Sequence, residues 1–166
     1  GQAGHIDCGF LGGAQIDRYG NLNSTVIGSQ ASPTVRFPGS GGANDIGSWA
    51  AETIIAMRQS EDSFVEDLDF RTTPGYLDGP GSRAEAGLPR ETGPKHVITQ
   101  YGVYGFDDET REMTLQRLHP GVDVDVVNEE SAFEIHVPDE YGRNPEPSDE
   151  QLRILREELD PRGIIR

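Results

Sequence analysis

With Cys8 as the single cysteine in its 166 residues, the chain cannot close a disulfide within itself, which excludes the disulfide-stapled secreted scaffolds. No run of about 18 apolar residues occurs, so no membrane-spanning helix can be drawn on the sequence. Lysine is nearly absent. Lys and Arg together number 14 against 29 Asp and Glu, a formal net charge of -15, and Lys95 is the one lysine. With few cations, none of them clustered along the sequence, the chain repels a phosphate backbone, and nucleic acid is excluded as a partner.

Scarce lysine beside so many carboxylates fits a surface made for high salt. It fits equally an acidic protein from a GC-rich genome, whose codons favour arginine, and both readings place the protein in the cytoplasm. Residues 1–5 have neither the basic nor the apolar stretch of a signal peptide, and they run directly into a strand pattern at Ile6. A domain that begins in mid-pattern is expected to be a fragment. The length suits a single domain over residues 1–166.

What is present is an alternation of strand and helix signals. Residues 5–12 read as a strand stopped by Gly12-Gly13, and residues 24–27 and 34–37 are further strands, the latter halted at Pro38. A glycine loop precedes a helix predicted from Ala43 to about Glu52, and residues 53–57 form an apolar run suited to a strand buried on both faces. Strand, glycine loop, helix and strand in that order compose a βαβ-like unit. Residues 61–94 are rich in Gly, Pro and charge and read as a long ordered loop or an excursion over the surface, its Gly75–Gly81 centre favoured as scaffold over a contribution to a substrate pocket. One strand is expected over 96–106, turned by Asp107–Thr110 into a hairpin with 113–118. Asp123 is expected to cap a short helix reaching Ser131, and 133–137 to form the last strand. Ser148-Asp149-Glu150-Gln151 is a capping box, opening a helix with Leu152, Leu155 and Leu159 on one face. The fold class is α/β, an open, mostly parallel sheet flanked by helices.

The feature with most chemical content is Gly39-Ser40-Gly41-Gly42-Ala43-Asn44, between a strand and a helix. Residues without side chains let a ligand approach the backbone, and the N–H groups opening a helix face an anion or a developing oxyanion. Asn44 stands where a dinucleotide fingerprint has its third glycine, and the Gly-Lys-Ser/Thr ending of a phosphate loop is missing. The residues alone fit a tight structural turn better than an anion cradle. His5-x-x-Cys8 supplies two metal-ligand types, and His96, His119 and His136 lie far apart, so no metal site is expected. Cys8 follows Asp7 with no basic neighbour and is expected to be buried and inert. Ser40 lies outside a nucleophile elbow, and the acidic clusters at 107–109 and 129–130 read as solvated faces.

Taken together, several segments carry more. GFLGGAQIDRYGNLN (9–23) resembles the LGAxQVxxYGxxN stretch of family I CoA-transferase β subunits, and PGSGGANDI (38–46) resembles that family's GxGGAxD loop. The runs 96–106, 113–115, 119–122 and 133–135 follow the order of its C-terminal region. Within the family the likeness is to the β-type subunits of glutaconate enzymes, and a steroid-ring-degrading CoA hydrolase uses the same scaffold. The resemblance implies a CoA-transferase-type fold, coenzyme A or acyl-CoA as substrate with no permanently bound cofactor, and an active site shared with an α subunit. It implies oxyanion donors at Gly41, Gly42 and Ala43, with Gln15, Gly39, Ser40 and Asn44 lining the CoA site. The family's nucleophilic Glu lies upstream of the 9–23 motif and has no counterpart in this sequence. On that ground the chain is expected to be roughly the C-terminal two-thirds of a larger polypeptide. The hydrolase relatives lack that Glu, so the same sequence fits both reactions.

Overall fold

A computed structural model describes residues 1–164 of the chain. Its centre is a six-stranded sheet in the order β1-β6-β7-β8-β9-β10, formed by β1 (Cys8–Leu11), β6 (Glu52–Ala56), β7 (Pro94–Ile98), β8 (Gly102–Phe106), β9 (Met113–Leu118) and β10 (Gly142–Arg143). The β1/β6, β6/β7 and β9/β10 pairs are parallel, while β7/β8 and β8/β9 are antiparallel. The expected α/β class with a mostly parallel sheet is therefore present. Two small antiparallel ribbons stand outside the sheet: β2 (Gln15–Ile16) with β3 (Leu22–Asn23), and β4 (Val26–Ser29) with β5 (Ser32–Arg36). The helices are short: α1 (Ala43–Trp49), α2 (Ser82–Glu85), α3 (Val126–Glu129) and α4 (Asp149–Arg153), the last running on as π-helix over Ile154–Leu159. Among the described residues no helix is long and apolar enough to cross a membrane.

The βαβ unit forms with a different first strand from the one the sequence suggests. β5 pairs only with β4, so the parallel strand preceding α1 is β1, and both ribbons are insertions between β1 and α1. Because α1 returns antiparallel to its strands, the glycine loop at its N-terminus lies at the C-terminal edge of β1 and β6. β6 is not buried on both faces. Thr53 and Ile55 point into the core, while Phe10 beside Ile54 is 72% exposed and Ile98 beside Ala56 is 37% exposed.

The core is assembled from distant segments. Ile16, Leu22, Ile55, Val97, Leu115 and Leu118 share one core cluster with Phe64, which is fully buried. The Phe64 ring meets Tyr104 edge-on at 6.3 Å between centroids and stacks on Phe133 at 6.1 Å. Such pairs contribute about 1 kcal/mol each beyond their area. The expected surface loop over 61–94 is exposed along much of its length, and it is anchored to the domain's centre through Phe64. Its other anchors are polar: Thr72 and Thr73 are buried against Leu22 and the β3–β4 link.

Three further expectations change. The single strand over 96–106 is two, because the Thr99 hydroxyl accepts the N–H groups of Tyr101 (3.1 Å) and Gly102 (3.3 Å) and bends the chain. Residues 133–137 form no strand beyond a bridge between Thr114 and His136. The Asn128 side chain takes the place of a ladder there, accepting the Ile135 N–H at 2.8 Å and donating to its carbonyl at 3.2 Å. Asp123 does not cap α3; it accepts only the Asp125 N–H (3.3 Å), and the cap position is Asp125, without a side-chain bond. The Ser148 capping box forms as read. The leucine face that follows is not packed, with Leu155 40% and Leu159 69% exposed.

Candidate functional site

The glycine loop begins where β5 ends. Phe37 donates its N–H to the Thr25 carbonyl (3.0 Å), and Gly39 donates to the Ser24 carbonyl (3.1 Å). Ser24 in turn donates its hydroxyl to the Gly39 carbonyl at 3.2 Å, which fastens the base of the loop to the β3–β4 link. Above that base the backbone turns through left-handed conformations at Gly39 (φ 93°) and Gly41 (φ 51°) before Gly42 opens α1. Glycine adopts these angles without strain.

The N–H groups at the tip divide into two kinds. Ala43 donates to the Ser40 carbonyl (2.8 Å) and Asn44 to the Ser40 hydroxyl (3.3 Å), so Ser40 serves the first turn of α1. Among the described residues the Gly41 and Gly42 N–H groups have no partner, and a Cβ at Gly39, Gly41 or Gly42 would meet nothing within 4 Å. Of the three expected donors, two are therefore free and the third is engaged in this conformation.

A hollow of about 390 Å³ lies beside the loop, lined by Gly13, Ala14, Ser24, Phe37, Pro38 and Gly39. It brings the two sequence motifs together, although the β4–β5 ribbon separates them in sequence. Gln15, expected to line the site, is not among the residues that line this hollow. Its amide nitrogen donates to Asp69 (2.9 Å), and its oxygen accepts from Asn23 (2.7 Å) and from the Asp69 N–H (3.2 Å). Asn44 is exposed and borders a separate hollow with Ser48, Arg71 and Thr72.

A polar knot that sequence reasoning did not single out joins the first motif to the segment at Gly75 and Leu77. Asn21 is fully buried; its side-chain oxygen accepts the N–H groups of Gly75 (2.8 Å) and Leu77 (3.1 Å), and its nitrogen donates to Asp17 (2.7 Å) and the Leu77 carbonyl (2.8 Å). Burial raises the Asp17 carboxyl above its ordinary value, against the bonds it accepts from Asn21 and Tyr19. The signal was present as Asp17 and Asn21 flanking Gly20, an arrangement suited to side-chain-to-backbone turns. Its target, Gly75, is far away in sequence. Among the described residues no group of three or more His, Cys, Asp and Glu could hold a metal ion. Cys8 is half-buried rather than buried.

The loop, its flanking motif and the sheet edge that carries them coincide with a known pattern. The sequence profile of the coenzyme A transferase family matches residues 1–130. The chain belongs to the coenzyme A transferase family. Within that family it is 42% identical over 153 residues to one of the subunits of glutaconate CoA-transferase from Acidaminococcus fermentans, covering 92% of this chain and 56% of that protein. The crystal structure of glutaconate coenzyme A-transferase from the same organism superposes with a TM-score of 0.87 at 40% identity, over 93% of this chain and 58% of that one. One of the subunits of 3-oxoadipate CoA-transferase from Pseudomonas knackmussii is 39% identical, covering 93% of this chain and 59% of that protein. IpdAB of Rhodococcus jostii matches with a TM-score of 0.79 and 29% identity over 98% of this chain and 64% of that one. This coenzyme A transferase family chain thus spans less than two thirds of the length of these relatives.

Proposed function

We propose that this chain is the β-subunit part of an acyl-CoA:carboxylate CoA-transferase that works with an α subunit in the cytoplasm. The observation that carries the proposal is the pair of unpartnered N–H groups at Gly41 and Gly42, open to an approaching ligand on every side a Cβ could occupy. They lie at the C-terminal edge of parallel strands, where α/β sheets bind ligands. Similarity to glutaconate and 3-oxoadipate CoA-transferase subunits, at 42% and 39% identity, supports the same reading.

In this mechanism a glutamate carboxylate from outside these 166 residues attacks the thioester carbonyl of acyl-CoA. Negative charge grows on the carbonyl oxygen, and Gly41 and Gly42 donate to it; a well-placed donor of this kind contributes roughly 10²–10³ in rate. The C–S bond breaks, releasing CoA thiolate and leaving an acyl-glutamyl anhydride. The thiolate then attacks the glutamyl carbonyl, forming glutamyl-CoA and freeing the first acid. A second carboxylate reverses these steps and leaves with the CoA. Gly39 keeps the loop close to the thioester, Ser40 and Ala43 hold the turn, and Asn44 and the Gln15 segment border the site.

A second reading is a CoA-thioester hydrolase. It draws on the likeness to IpdAB, whose IpdB subunit carries the name of a cholesterol ring-cleaving hydrolase. Mass spectrometry of the assembled protein after exposure to acyl-CoA alone separates the two. A CoA adduct on a β-subunit Glu supports transfer. Free CoA and acid without an adduct overturn it and favour hydrolysis. The acidic surface completes the proposal as an adaptation to salt, which a melting temperature that stays flat in KCl to molar concentrations would overturn.

A further inference from the structure

A cleft of about 590 Å³ lies away from the glycine loop. Its floor is formed by the starts of β6 and β7, at Glu52 and Lys95, and its wall by the segment that includes α2. Since α1 and β6 run between the two places, the cleft opens at the N-terminal edge of the parallel strands and the glycine loop at their C-terminal edge. The inference drawn from it concerns phosphate binding and needs neither the glycine loop nor transfer chemistry.

The charge balance of the cleft is the reverse of the whole chain's. Arg83, Arg90, Lys95 and Arg111 line it against only Glu52 and Glu91, in a protein where carboxylates outnumber cations by 29 to 14. Lys95 is held by Glu52 at 2.6 Å, and Arg111 lies with its guanidinium carbon 5.2 Å from the centre of the Tyr76 ring and pairs with Asp108 (3.2 Å). Arg83 differs from both. It is 7% exposed and bonds only neutral groups, donating to the carbonyls of Gly75 (2.7 Å) and Gly47 (3.2 Å) and to the Thr92 hydroxyl (2.7 Å). Its Nε–H is buried without a partner. A guanidinium stays charged in a protein, and a buried charge with no counter-ion is among the costlier arrangements a fold can hold.

We infer that this cleft binds a phosphorylated small molecule, with Arg83, Arg90 and Arg111 receiving its phosphate or pyrophosphate group and Lys95 at the rim. Two features select that chemistry. The local excess of positive charge matches a dianion better than a single carboxylate, and the planar fork of arginine suits phosphate oxygens. The volume falls within the range of roughly 300–1,000 Å³ typical of small-molecule sites, larger than a bare phosphate needs. The phosphate can belong to coenzyme A's own nucleotide end or to a separate molecule.

The test is calorimetric titration of the intact protein, in the assembly in which it is isolated, with inorganic pyrophosphate at constant ionic strength set by chloride. Saturable binding is expected, weakened about 10-fold or more by Arg90→Gln and by Arg111→Gln, as loss of one charge-assisted bond implies. Both side chains lie outside the core, so neither variant should disturb folding; circular dichroism and the melting temperature verify this. Repeating the titration with saturating coenzyme A separates the sources: competition assigns the phosphate to coenzyme A, and undisturbed binding to a separate molecule, and both support the cleft. Absence of saturable binding, or equal binding by folded Arg90→Gln and Arg111→Gln, overturns the inference.

Discussion

Two glycine-rich places in the fold answer to opposite demands. Where Gly20 and Gly75 cross, the glycines exist because the interior has no room: a Cβ on Gly75 would sit 2.3 Å from the Gly20 carbonyl carbon and 2.4 Å from the Gly20 and Tyr19 oxygens. In the loop of Gly39, Gly41 and Gly42, a Cβ would meet nothing. One cluster is explained by the folded chain alone. In the other, Gly42 has a φ of -91°, which any residue can adopt, and no internal contact that needs glycine. A glycine the fold does not require is one a ligand can.

That contrast can be broken by substitution, with effects that should fall in a definite order. Gly75→Ala should cost more than about 4 kcal/mol and leave little folded protein, because only backbone stands in the way; urea unfolding measures it. Asn21→Ala should cost about 3 kcal/mol, since it strips partners from Asp17 and from the Gly75 and Leu77 N–H groups at once. Tyr104 probes the packed interior by pH. Burial pushes its hydroxyl up to about 12, while it donates to Gln59 at 2.6 Å. The neutral phenol is favoured in the folded state, so its contribution is intact below pH 10 and is lost between pH 10 and about 12. At about 1.4 kcal/mol per unit, that loss is of order 3 kcal/mol. Tyr104→Phe should flatten this part of the alkaline unfolding curve. Smallest in stability is Gly42→Ala, expected to shift unfolding by no more than about 0.5 kcal/mol. Turnover of the assembled protein should nevertheless fall, toward the roughly 10²-fold cost of an obstructed oxyanion donor. Equal losses of stability and turnover at Gly42 would erase the distinction between the clusters.

The same contrast marks how far the sequence could be read. Local chemistry was legible: the Ser148 capping box, the start of α1 at Ala43 and the β8–β9 hairpin depend on neighbours a few residues away. The glycine loop was legible as a place, but its two motifs could only be expected to meet. Interactions at long range stayed hidden. Nothing in residues 61–94 announces that Phe64 belongs at the centre, and Gln15 has the composition of a site residue until Asp69, 54 positions away, claims its amide. Thr99 divided a strand, and Asn128 replaced one, through side-chain bonds that compete with ladder pairing.

The central position of Phe64 also bears on how the domain reaches its native state. Its neighbour Ser63 accepts the Ile16 N–H at 2.7 Å, and Phe64 itself accepts the Ala132 N–H at 2.8 Å, so the backbone at one point joins the first, middle and last parts of the core. Neither ribbon nor the β8–β9 hairpin can complete that core by itself. The chain must close two long loops before the aromatic cluster stabilises anything, a search that makes folding slow and concerted. The amides around Ile16, Phe64 and Ala132 should then exchange with solvent together and last, opening only when the whole domain does.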